Sequence, residues 1–255
     1  MVDPKRHLPE LIRLADAAAG EIMRHYGRDT AVDYKADRSP VTLADEAGEA
    51  IILEGLRALT PDWPIVAEEA VSRGEIPAVD DGPFWLVDPL DGTKEFINQR
   101  GEFTVNIGLV QARLPVMGVV FAPAIDTMWW GAVGHGAERR KAGVTEAIAV
   151  RRAPPAGGPV AVASRSHRDA ETDAWLAEHG ITETLSCGSS LKFCAVAEGR
   201  ADVYPRFGPT MEWDTAAGHA VLRAAGGEVV TVAGQPFTYT KPDFRNGGFI
   251  ARAHG

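Results

Sequence analysis

The sequence has few cysteines, no excess of basic residues and no long apolar run. Cys187 and Cys194 are the two cysteines among 255 residues. Their spacing fits neither a CxxC motif nor a zinc site, so we expect free, half-buried thiols in a reducing compartment. The formal net charge of −9 argues against binding of a nucleic acid polymer through a basic surface. It does not exclude a small anionic substrate, because a metal ion can reverse the local field.

Segments for membranes and motifs for other common chemistries are also missing. No stretch is long and apolar enough to form a transmembrane segment, and the first 23 residues lack the apolar core of a signal peptide. The sequence has no GxxxxGK[ST], HExxH or GxSxG motif, and its histidines show no metal-ligand spacing. His167 and His219 are isolated, which favours surface or core roles. We therefore expect a cytoplasmic protein without these chemistries.

The hydrophobic pattern predicts an α/β protein in two parts. Apolar residues at helical spacing predict helices over 8–26 and 43–59, and "IVAEE" predicts a short strand that ends in acids. The segments "EFTVNIGLV", "LPVMGVVFAP" and "TMWWGAV" predict an antiparallel meander, with "GHGAERR" and "KAG" as hairpin turns.

The Pro- and Gly-rich segment "RRAPPAGGP", residues 151–159, predicts a domain boundary. We expect an N-terminal α+β domain over 1–150 and a C-terminal α/β domain over 151–255. In the second domain, strands "VAVAS", "ADVYP" and "EVVTV" alternate with predicted helices over 169–179, 189–198 and 214–225.

Carboxylates gather at the ends of predicted elements: Asp45, Glu68, Glu69, Asp88, Asp91 and Asp214. Each is compatible with an ordinary structural role, such as a helix N-cap, a first-turn acid, a solvated loop or a simple turn. Together they predict more, because buried carboxylates repel one another and hard divalent cations are bound by oxygen ligands.

The run "WLVDPLDGTKEF" can supply three oxygen ligands to a cation: the Asp88 carboxylate, the Leu90 carbonyl and the Asp91 carboxylate. Gly92 and Thr93 follow at a predicted helix start, where backbone N–H groups can bind an anion. A phosphate beside carboxylates requires a metal ion between them. The residues therefore predict metal-assisted phosphoryl hydrolysis.

These motifs resemble the inositol monophosphatase superfamily. The resemblance rests on "WLVDPLDGTKEF", "VAEE" and "WDTAAGHAVLRAAGG", and it covers nearly the whole chain. It is closest to the 3'(2'),5'-bisphosphate nucleotidase branch through "KADRSPVTLAD", "SRSH", "GSSLKFC" and "YPRFGPTMEWDTAAGHA". The resemblance implies a layered α/β/α/β/α sandwich. It also implies Mg²⁺-dependent removal of the 3'-phosphate from adenosine 3',5'-bisphosphate, which gives AMP and phosphate, in sulfate assimilation with inhibition by lithium or calcium.

The resemblance also implies ligands for two or three Mg²⁺ ions per active site. One ion is expected at Glu68, Asp88 and the Leu90 carbonyl. A second is expected at Asp88, Asp91 and Asp214, and a third, weaker ion would also use Glu68.

The same resemblance implies the catalytic residues and the substrate site. Asp45 and Thr93 are expected to orient the attacking water, with Glu68 assisting as base. The substrate site is expected to include Glu68, Leu90, Asp91, Gly92, Thr93, Ser189, Ser190, Lys192, Arg206 and Asp214. Ser189 and Ser190 could equally form a helix N-cap.

Substrate preference follows from the residues before "EWD". Residues 205–209 read PRFGP, without the acid that inositol-specific relatives carry there, and Glu212 is too close to Trp213 to replace it. Arg206 suits a second phosphate, whereas Tyr204 or Phe207 could flank an adenine or pack in the core. Lys35 and Lys94 could add positive charge near the phosphate or be solvated.

Three alternatives to the bisphosphate nucleotidase remain: an inositol or sugar monophosphate phosphatase, a non-catalytic metal-binding module and a two-carboxylate glycosidase. The expected partner is a small nucleotide. A homodimer and a peripheral position at the inner face of the membrane are further expectations from the resemblance.

Overall fold

The computed structural model describes residues 2–27, 32–34, 40–164 and 169–253. Within these residues the α-helices are α1 (Pro4–His25), α2 (Leu43–Leu59), α3 (Glu68–Ser72), α4 (Thr93–Ile97), α5 (Ala170–Glu178), α6 (Leu191–Ala197) and α7 (Glu212–Ala224). The strands are β1 (Val32–Tyr34), β2 (Pro40–Thr42), β3 (Ile65–Ala67), β4 (Phe84–Asp91), β5 (Thr104–Gln111), β6 (Leu114–Ala122), β7 (Thr127–Ala132), β8 (Gly136–Lys141), β9 (Val144–Ile148), β10 (Val160–Ser164), β11 (Glu183–Cys187), β12 (Val203–Arg206), β13 (Thr210–Met211), β14 (Glu228–Thr231), β15 (Arg245–Asn246) and β16 (Phe249–Arg252). Short 3₁₀ helices span Pro123–Ile125 and Pro242–Phe244.

Helices α1 and α2 confirm the two predicted N-terminal helices. The side chain of Asp3 accepts a hydrogen bond from the Lys5 backbone N–H at 3.0 Å and so caps α1. Apolar residues of both helices are buried together with one face of the first sheet, in a cluster that includes Leu11, Ile52 and Trp85. The periodic apolar positions therefore became a helix layer on that sheet.

The first sheet has seven strands in the order β3-β4-β5-β6-β7-β8-β9. Strand β3 is parallel to β4, and each later pair is antiparallel. The predicted meander is therefore confirmed over β5 to β7. The prediction of a hairpin turn for all of "GHGAERR" is wrong, because Gly136–Lys141 forms β8 between β7 and β9. One face of β8 is exposed, so its charged side chains reach water while the backbone is paired.

The second sheet has five strands in the order β11-β10-β12-β16-β14. Strand β10 is parallel to β11 and β12, whereas β16 is antiparallel to β12 and β14. The predicted alternation of strands and helices is confirmed, but the sequence did not predict β11 or β16. Helix α5 packs on one face of this sheet through Leu176, which is buried with Val203 and Ile250.

Helices α6 and α7 lie between the two sheets. A single buried cluster contains Leu86 and Val120 of the first sheet, Phe193 of α6, Val221 of α7 and Phe249 of the second sheet. Together with α1 and α2 outside the first sheet and α5 outside the second, this arrangement confirms the predicted α/β/α/β/α layering.

A row of glycines lets α7 lie directly on the first sheet. Gly108 of β5 pairs with Gly118 of β6, and Gly118 pairs with Gly131 of β7. A Cβ on Gly108 would lie 2.8 Å from the Ala216 Cβ, and one on Gly131 would lie 2.6 Å from the Ala224 Cβ. The helix backbone therefore occupies the space that side chains would fill.

The division into 1–150 and 151–255 stays a prediction. Strand β9 ends at Ile148 and β10 begins at Val160, so residues 151–159 do link the two sheets. Neither cysteine forms a disulfide within the described residues. Cys187 is half-buried as expected, whereas Cys194 is more deeply buried than expected. No helix in the described ranges combines the length and apolar character needed to cross a membrane.

Candidate active site

Strand β4 carries Asp88 and Asp91 inside its C-terminal end rather than after it. The strand runs from Phe84 to Asp91, and its pairing with β5 shifts register between the two acids. The Asp88 side chain is 1% exposed, and its Oδ1 accepts a hydrogen bond from the Leu90 N–H at 3.0 Å. The strand therefore places one buried carboxylate, Asp88, and one half-buried carboxylate, Asp91, at its C-terminal end.

A left-handed glycine separates these acids from a short helix. Gly92 has φ of +93° and stands immediately before α4, a conformation that favours glycine. The Thr93 hydroxyl donates to the Leu90 carbonyl at 3.3 Å. A Cβ on Gly92 would collide with the Ser189 hydroxyl, so the turn also requires close approach. The helix start that "DGTKEF" predicted is confirmed.

Helices α2 and α3 carry three further acids, Asp45, Glu68 and Glu69. Asp45 lies in the first turn of α2 and is 3% exposed. Glu68 and Glu69 begin α3, where Glu69 is 4% exposed, so the solvated-loop interpretation of this pair is wrong. The Glu69 N–H donates to Glu49 Oε2 at 2.8 Å, which fixes the start of α3 against α2.

Helix α7 supplies Asp214 from its first turn. The helix begins at Glu212, two residues earlier than predicted. The Met211 N–H donates to Asp214 Oδ2 at 2.7 Å, and the Ser190 hydroxyl donates to the Asp214 carbonyl at 2.9 Å. Asp214 is thus both a first-turn acid, as its position suggested, and a member of the acidic group described next.

The structure brings the predicted acids into one electrostatic cluster. Burial raises the pKa of Asp88 well above its ordinary value, and the charges of Glu68, Asp91, Asp214 and Asp45 raise this pKa further, in that order. The pKa of Asp214 is likewise well above its ordinary value, first through burial and then through Asp91 and Glu68. These carboxylates are therefore poorly stabilised as anions by the protein alone.

Asp91 has a basic neighbour, Lys192. Burial raises its pKa, whereas the Lys192 ammonium and hydrogen bonds from Ser190 act in the opposite direction. Lys192 is itself 6% exposed, and burial lowers its pKa while the Asp91 charge opposes this shift. The Lys192 Nζ donates to the Ser189 carbonyl at 2.7 Å. One ammonium thus offsets part of the negative charge of the cluster.

The donor set fits Mg²⁺, although it is not a closed cage. Within the described residues, no three Asp, Glu, His or Cys side chains are arranged to hold one ion by themselves. Closed cages are typical of structural zinc, whereas Mg²⁺ keeps several waters and uses one or two carboxylates together with substrate phosphate oxygens. Buried carboxylates that raise one another's pKa are such ligands.

The two serines connect the acids instead of capping a helix. Ser190 occupies the N-cap position of α6, but its side chain makes no capping bond. Its hydroxyl lies 3.1 Å from Asp91 Oδ2, so its one proton is shared between this oxygen and the Asp214 carbonyl. The Ser189 hydroxyl contacts the Asp91 carbonyl at 2.9 Å and the Glu102 carbonyl at 2.8 Å. The N-cap interpretation therefore holds for position and not for side-chain bonding.

The predicted nucleotide contacts lie at different depths. Arg206 is half-buried, and its guanidinium donates to the carbonyls of Gly208 at 3.2 Å and Pro209 at 3.4 Å. The Tyr204 ring is buried between Phe193 and Phe249, which supports core packing for Tyr204 and not an adenine contact.

The other basic and polar candidates are exposed, buried in the core or outside the described residues. Lys94 is exposed, whereas Lys35 and His167 fall outside the described residues. His219 is buried and hydrogen-bonds the Tyr239 hydroxyl at 3.1 Å, as expected for a core histidine. Glu212 is fully buried and accepts the backbone N–H groups of Thr240 and Lys241, so its carboxylate is used inside the protein.

Sequence reasoning missed three buried polar residues near the acids: Glu49, Thr104 and Asn106. Glu49 follows Asp45 by one helical turn, a spacing that could have indicated a shared face. Thr104 and Asn106 alternate with apolar residues in "TVNIGLV", which could have indicated one polar face at the start of β5.

Comparison with known proteins agrees with this geometry. Residues 4–253 match the inositol monophosphatase family. The chain belongs to that family. It is 49% identical over 245 residues to the 3'(2'),5'-bisphosphate nucleotidase CysQ of Escherichia coli strain K12, covering 95% of this chain and 98% of that protein. The prediction of family and branch is confirmed.

Solved structures of family members have the same fold. CysQ from Bacteroides thetaiotaomicron superposes with a TM-score of 0.81 at 41% identity, covering 96% of both chains. The inositol monophosphatase from Anabaena (Nostoc) sp. PCC 7120 superposes with a TM-score of 0.77 at 28% identity, covering 99% of this chain and 92% of that one. This chain therefore has the same fold as these two family members.

Proposed function

We propose that this protein is a Mg²⁺-dependent 3'(2'),5'-bisphosphate nucleotidase that removes the 3'-phosphate of adenosine 3',5'-bisphosphate to give AMP and phosphate. The observation that carries the proposal is the cluster of the buried Asp88 with the half-buried Asp91 and Asp214, whose raised pKa values favour a bound cation, in a chain 49% identical to a protein of that name. The proposed context is sulfate assimilation and nucleotide recycling, with sensitivity to lithium.

In this proposal two or three Mg²⁺ ions are held by Glu68, Asp88, Asp91, Asp214 and the Leu90 carbonyl. When bound, such ions lower the pKa of a ligated water and stabilise the charge that develops on the phosphate and the leaving oxygen. The Leu90 carbonyl already accepts the Thr93 hydroxyl, and a carbonyl oxygen has a second lone pair for a cation.

The chain's own residues would orient the reaction. Asp45 and Thr93 are proposed to accept and direct the protons of the attacking water, with Glu68 as the assisting base. The Gly92 and Thr93 amides are proposed to contact the phosphate, since the left-handed turn at Gly92 reorients the backbone there.

The substrate is proposed to be a bisphosphate because Arg206 is the basic side chain that β12 places at its C-terminal end. A guanidinium can bind a second phosphate with two parallel hydrogen bonds. Ser189, Ser190 and Lys192 are proposed to act through Asp91 and the adjoining backbone as well as toward the nucleotide. The alternative with the same fold is an inositol or sugar monophosphate phosphatase. Its support is the structural similarity to an inositol monophosphatase that is 28% identical to this chain.

A substrate panel tests the proposal. We expect Mg²⁺-dependent phosphate release from adenosine 3',5'-bisphosphate to exceed that from inositol 1-phosphate, and Li⁺ or EDTA to abolish it. Faster turnover of inositol 1-phosphate would favour the alternative phosphatase. Hydrolysis of a glycoside that survives EDTA would favour the two-carboxylate glycosidase, and absence of any turnover would favour the non-catalytic module.

We also propose that the protein is cytoplasmic and forms a homodimer. Analytical ultracentrifugation at micromolar concentration measures the oligomeric state directly.

A further inference from the structure

Thr104 and Asn106 are fully buried polar residues that the proposed chemistry does not use. Both side chains are 0% exposed. Within the described part of the chain, no hydrogen-bond partner reaches the Thr104 hydroxyl oxygen or either polar atom of the Asn106 amide. Burying polar groups without partners costs free energy, so a chain that keeps three such atoms together indicates a further ligand for them.

The other buried atoms of this kind belong to residues that are otherwise bonded. Arg139 lacks a partner at Nε but donates from Nη1 to Glu198 at 2.7 Å. Asp202 lacks one at Oδ1 but accepts at Oδ2 from Arg151 at 2.8 Å. In Thr104 and Asn106 the whole polar part of the side chain is unpartnered, which distinguishes this pair.

Strand register places the pair beside the two β4 acids. Asn106 is paired with Asp88, and Thr104 is paired with Asp91. Directly paired residues of antiparallel strands project to the same face, with their Cβ atoms about 4.5–5.5 Å apart. The unpartnered amide and hydroxyl therefore lie next to the carboxylates that repel one another.

The face of the sheet is the one that α7 covers. Gly108 is two residues after Asn106 on the same strand face, and a Cβ on Gly108 would meet Ala216 and Ala217 of α7. Asp214 lies two residues before Ala216, in the first turn of the same helix. The pair thus lies between β4, β5 and the start of α7, on the side of the sheet from which Asp214 approaches.

We infer that Thr104 and Asn106 are positioning residues that hold the solvent shell of the cations at Asp88 and Asp91. A water bound beside the pair would accept from the Asn106 amide, exchange a hydrogen bond with the Thr104 hydroxyl and donate to a carboxylate, so it would have three partners. Second-layer partners of this type orient ligands and raise metal affinity. The inference rests on the proposed function, because the cations belong to it.

Isosteric substitutions test the inference by thermal denaturation of the full chain in EDTA and across a Mg²⁺ titration. The variants are Thr104→Val and Asn106→Leu. Thr127→Val is the matched control, since Thr127 is also buried in the first sheet but its hydroxyl donates to the Ile125 carbonyl at 2.9 Å.

In EDTA we expect the melting temperatures of Thr104→Val and Asn106→Leu to equal or exceed that of the wild type, because no hydrogen bond within the protein is lost. Thr127→Val should melt lower. The Mg²⁺ concentration at half of the thermal shift should rise about 10-fold in the two test variants, and stay unchanged in the control.

An unchanged Mg²⁺ midpoint in Thr104→Val, with a normal wild-type shift, overturns the inference. If the wild type shows no Mg²⁺ shift, the proposed function fails first, and the two failures are therefore distinguished. Should Asn106→Leu fail to fold, Thr104→Val alone decides, since it removes one hydroxyl at constant shape.

Discussion

The two sheets contribute opposite kinds of side chain to the candidate site. The first sheet and its helices provide acids, with Asp88 and Asp91 on β4 and Glu68 after β3. The segments of the second sheet provide hydroxyl groups and basic side chains. Ser190 and Lys192 lie around the start of α6, and Arg206 lies on β12. Asp214 on α7 lies between the two groups.

This difference indicates a division of roles within one site. A surface of repelling, buried carboxylates is suited to cations, whereas hydroxyls and a half-buried guanidinium are suited to the anionic and polar parts of a substrate. Lys192 links the two sides, since it sits on the second side and stabilises the charge of Asp91 on the first.

The largest effect is expected when the acidic side of the site loses a charge through Asp88→Asn. We expect kcat at saturating Mg²⁺ to fall by about 10³-fold or more, since the proposed ligand of two ions is lost. In EDTA the melting temperature should stay the same or rise, because repulsion from Glu68, Asp91 and Asp214 is relieved. Asp62→Asn, at an exposed position, is the control. Retention of near wild-type turnover would contradict the assignment.

On the second side, Arg206→Ala should change substrate preference. We expect KM for adenosine 3',5'-bisphosphate to rise about 10- to 100-fold, the loss expected for a charge-assisted bidentate contact. KM for a 3'-monophosphate should hardly change. Steady-state kinetics on both substrates measure this, with exposed Arg152→Ala as control. An equal rise for both substrates would show that Arg206 does not read the second phosphate.

A support inside the acidic side can be removed with Glu49→Ala. The variant takes away the acceptor of the Glu69 N–H, and we expect the free energy of unfolding to drop by about 1–3 kcal/mol. The Mg²⁺ midpoint should rise because Glu68 precedes that amide. Glu49→Gln keeps an acceptor oxygen and should restore most of the Mg²⁺ response.

Arg73→Ala separates the two partners of Glu49. The Arg73 side chain is 46% exposed and bonds Glu49 Oε1 at 3.1 Å, so its loss should have a much smaller effect than Glu49→Ala. Equal effects of the two variants would mean that the ion pair, and not the Glu69 amide, is what matters. Urea denaturation at each Mg²⁺ concentration gives both quantities.

A test of the core, outside the candidate site, uses His219. Burial holds the pKa of His219 well below its ordinary value, and the nearby charges of Arg223 and Lys241 lower this pKa further. Below about pH 6.5 the unfolded chain therefore binds a proton that the folded chain refuses, so stability falls as pH falls.

Relative to His219→Gln, the wild type should lose up to about 1.4 kcal/mol of unfolding free energy per pH unit below pH 6.5. The acids of the site titrate in both proteins, so the difference isolates His219. Urea denaturation between pH 7 and pH 5 measures it. Parallel pH profiles for the two proteins would show that His219 is protonated in the folded state.

Much of this arrangement could be predicted from local sequence. Helix α2 begins and ends where its periodicity predicted, and the acids of "WLVDPLDGTKEF" meet Asp214 from a segment more than 100 residues away. The resemblance identified that meeting, because spacing alone leaves each acid compatible with a cap or a turn. The placement of Asp45, Glu68 and Asp214 around Asp88 is now a structural observation, while their roles are proposals.

The remainder depended on pairing between distant segments. Strand β8 is rich in charge, and β16 has four residues, so neither has a strong local signal; each is a strand because it lies between two partners. The polar pair on β5 was missed for a similar reason. Only the register with β4 shows that Thr104 and Asn106 stand opposite Asp91 and Asp88.

Three glycines under α7 affect the geometry of the candidate site although they have no side chains. The distance between α7 and the first sheet is set by Gly108, Gly118 and Gly131. Asp214 lies on this helix, whereas Asp88 lies in the sheet. A Cβ on any of the three would lie 2.8 Å or less from an atom of α7, so the helix or the sheet would have to shift. The row therefore sets the distance between the helix that carries Asp214 and the strand that carries Asp88.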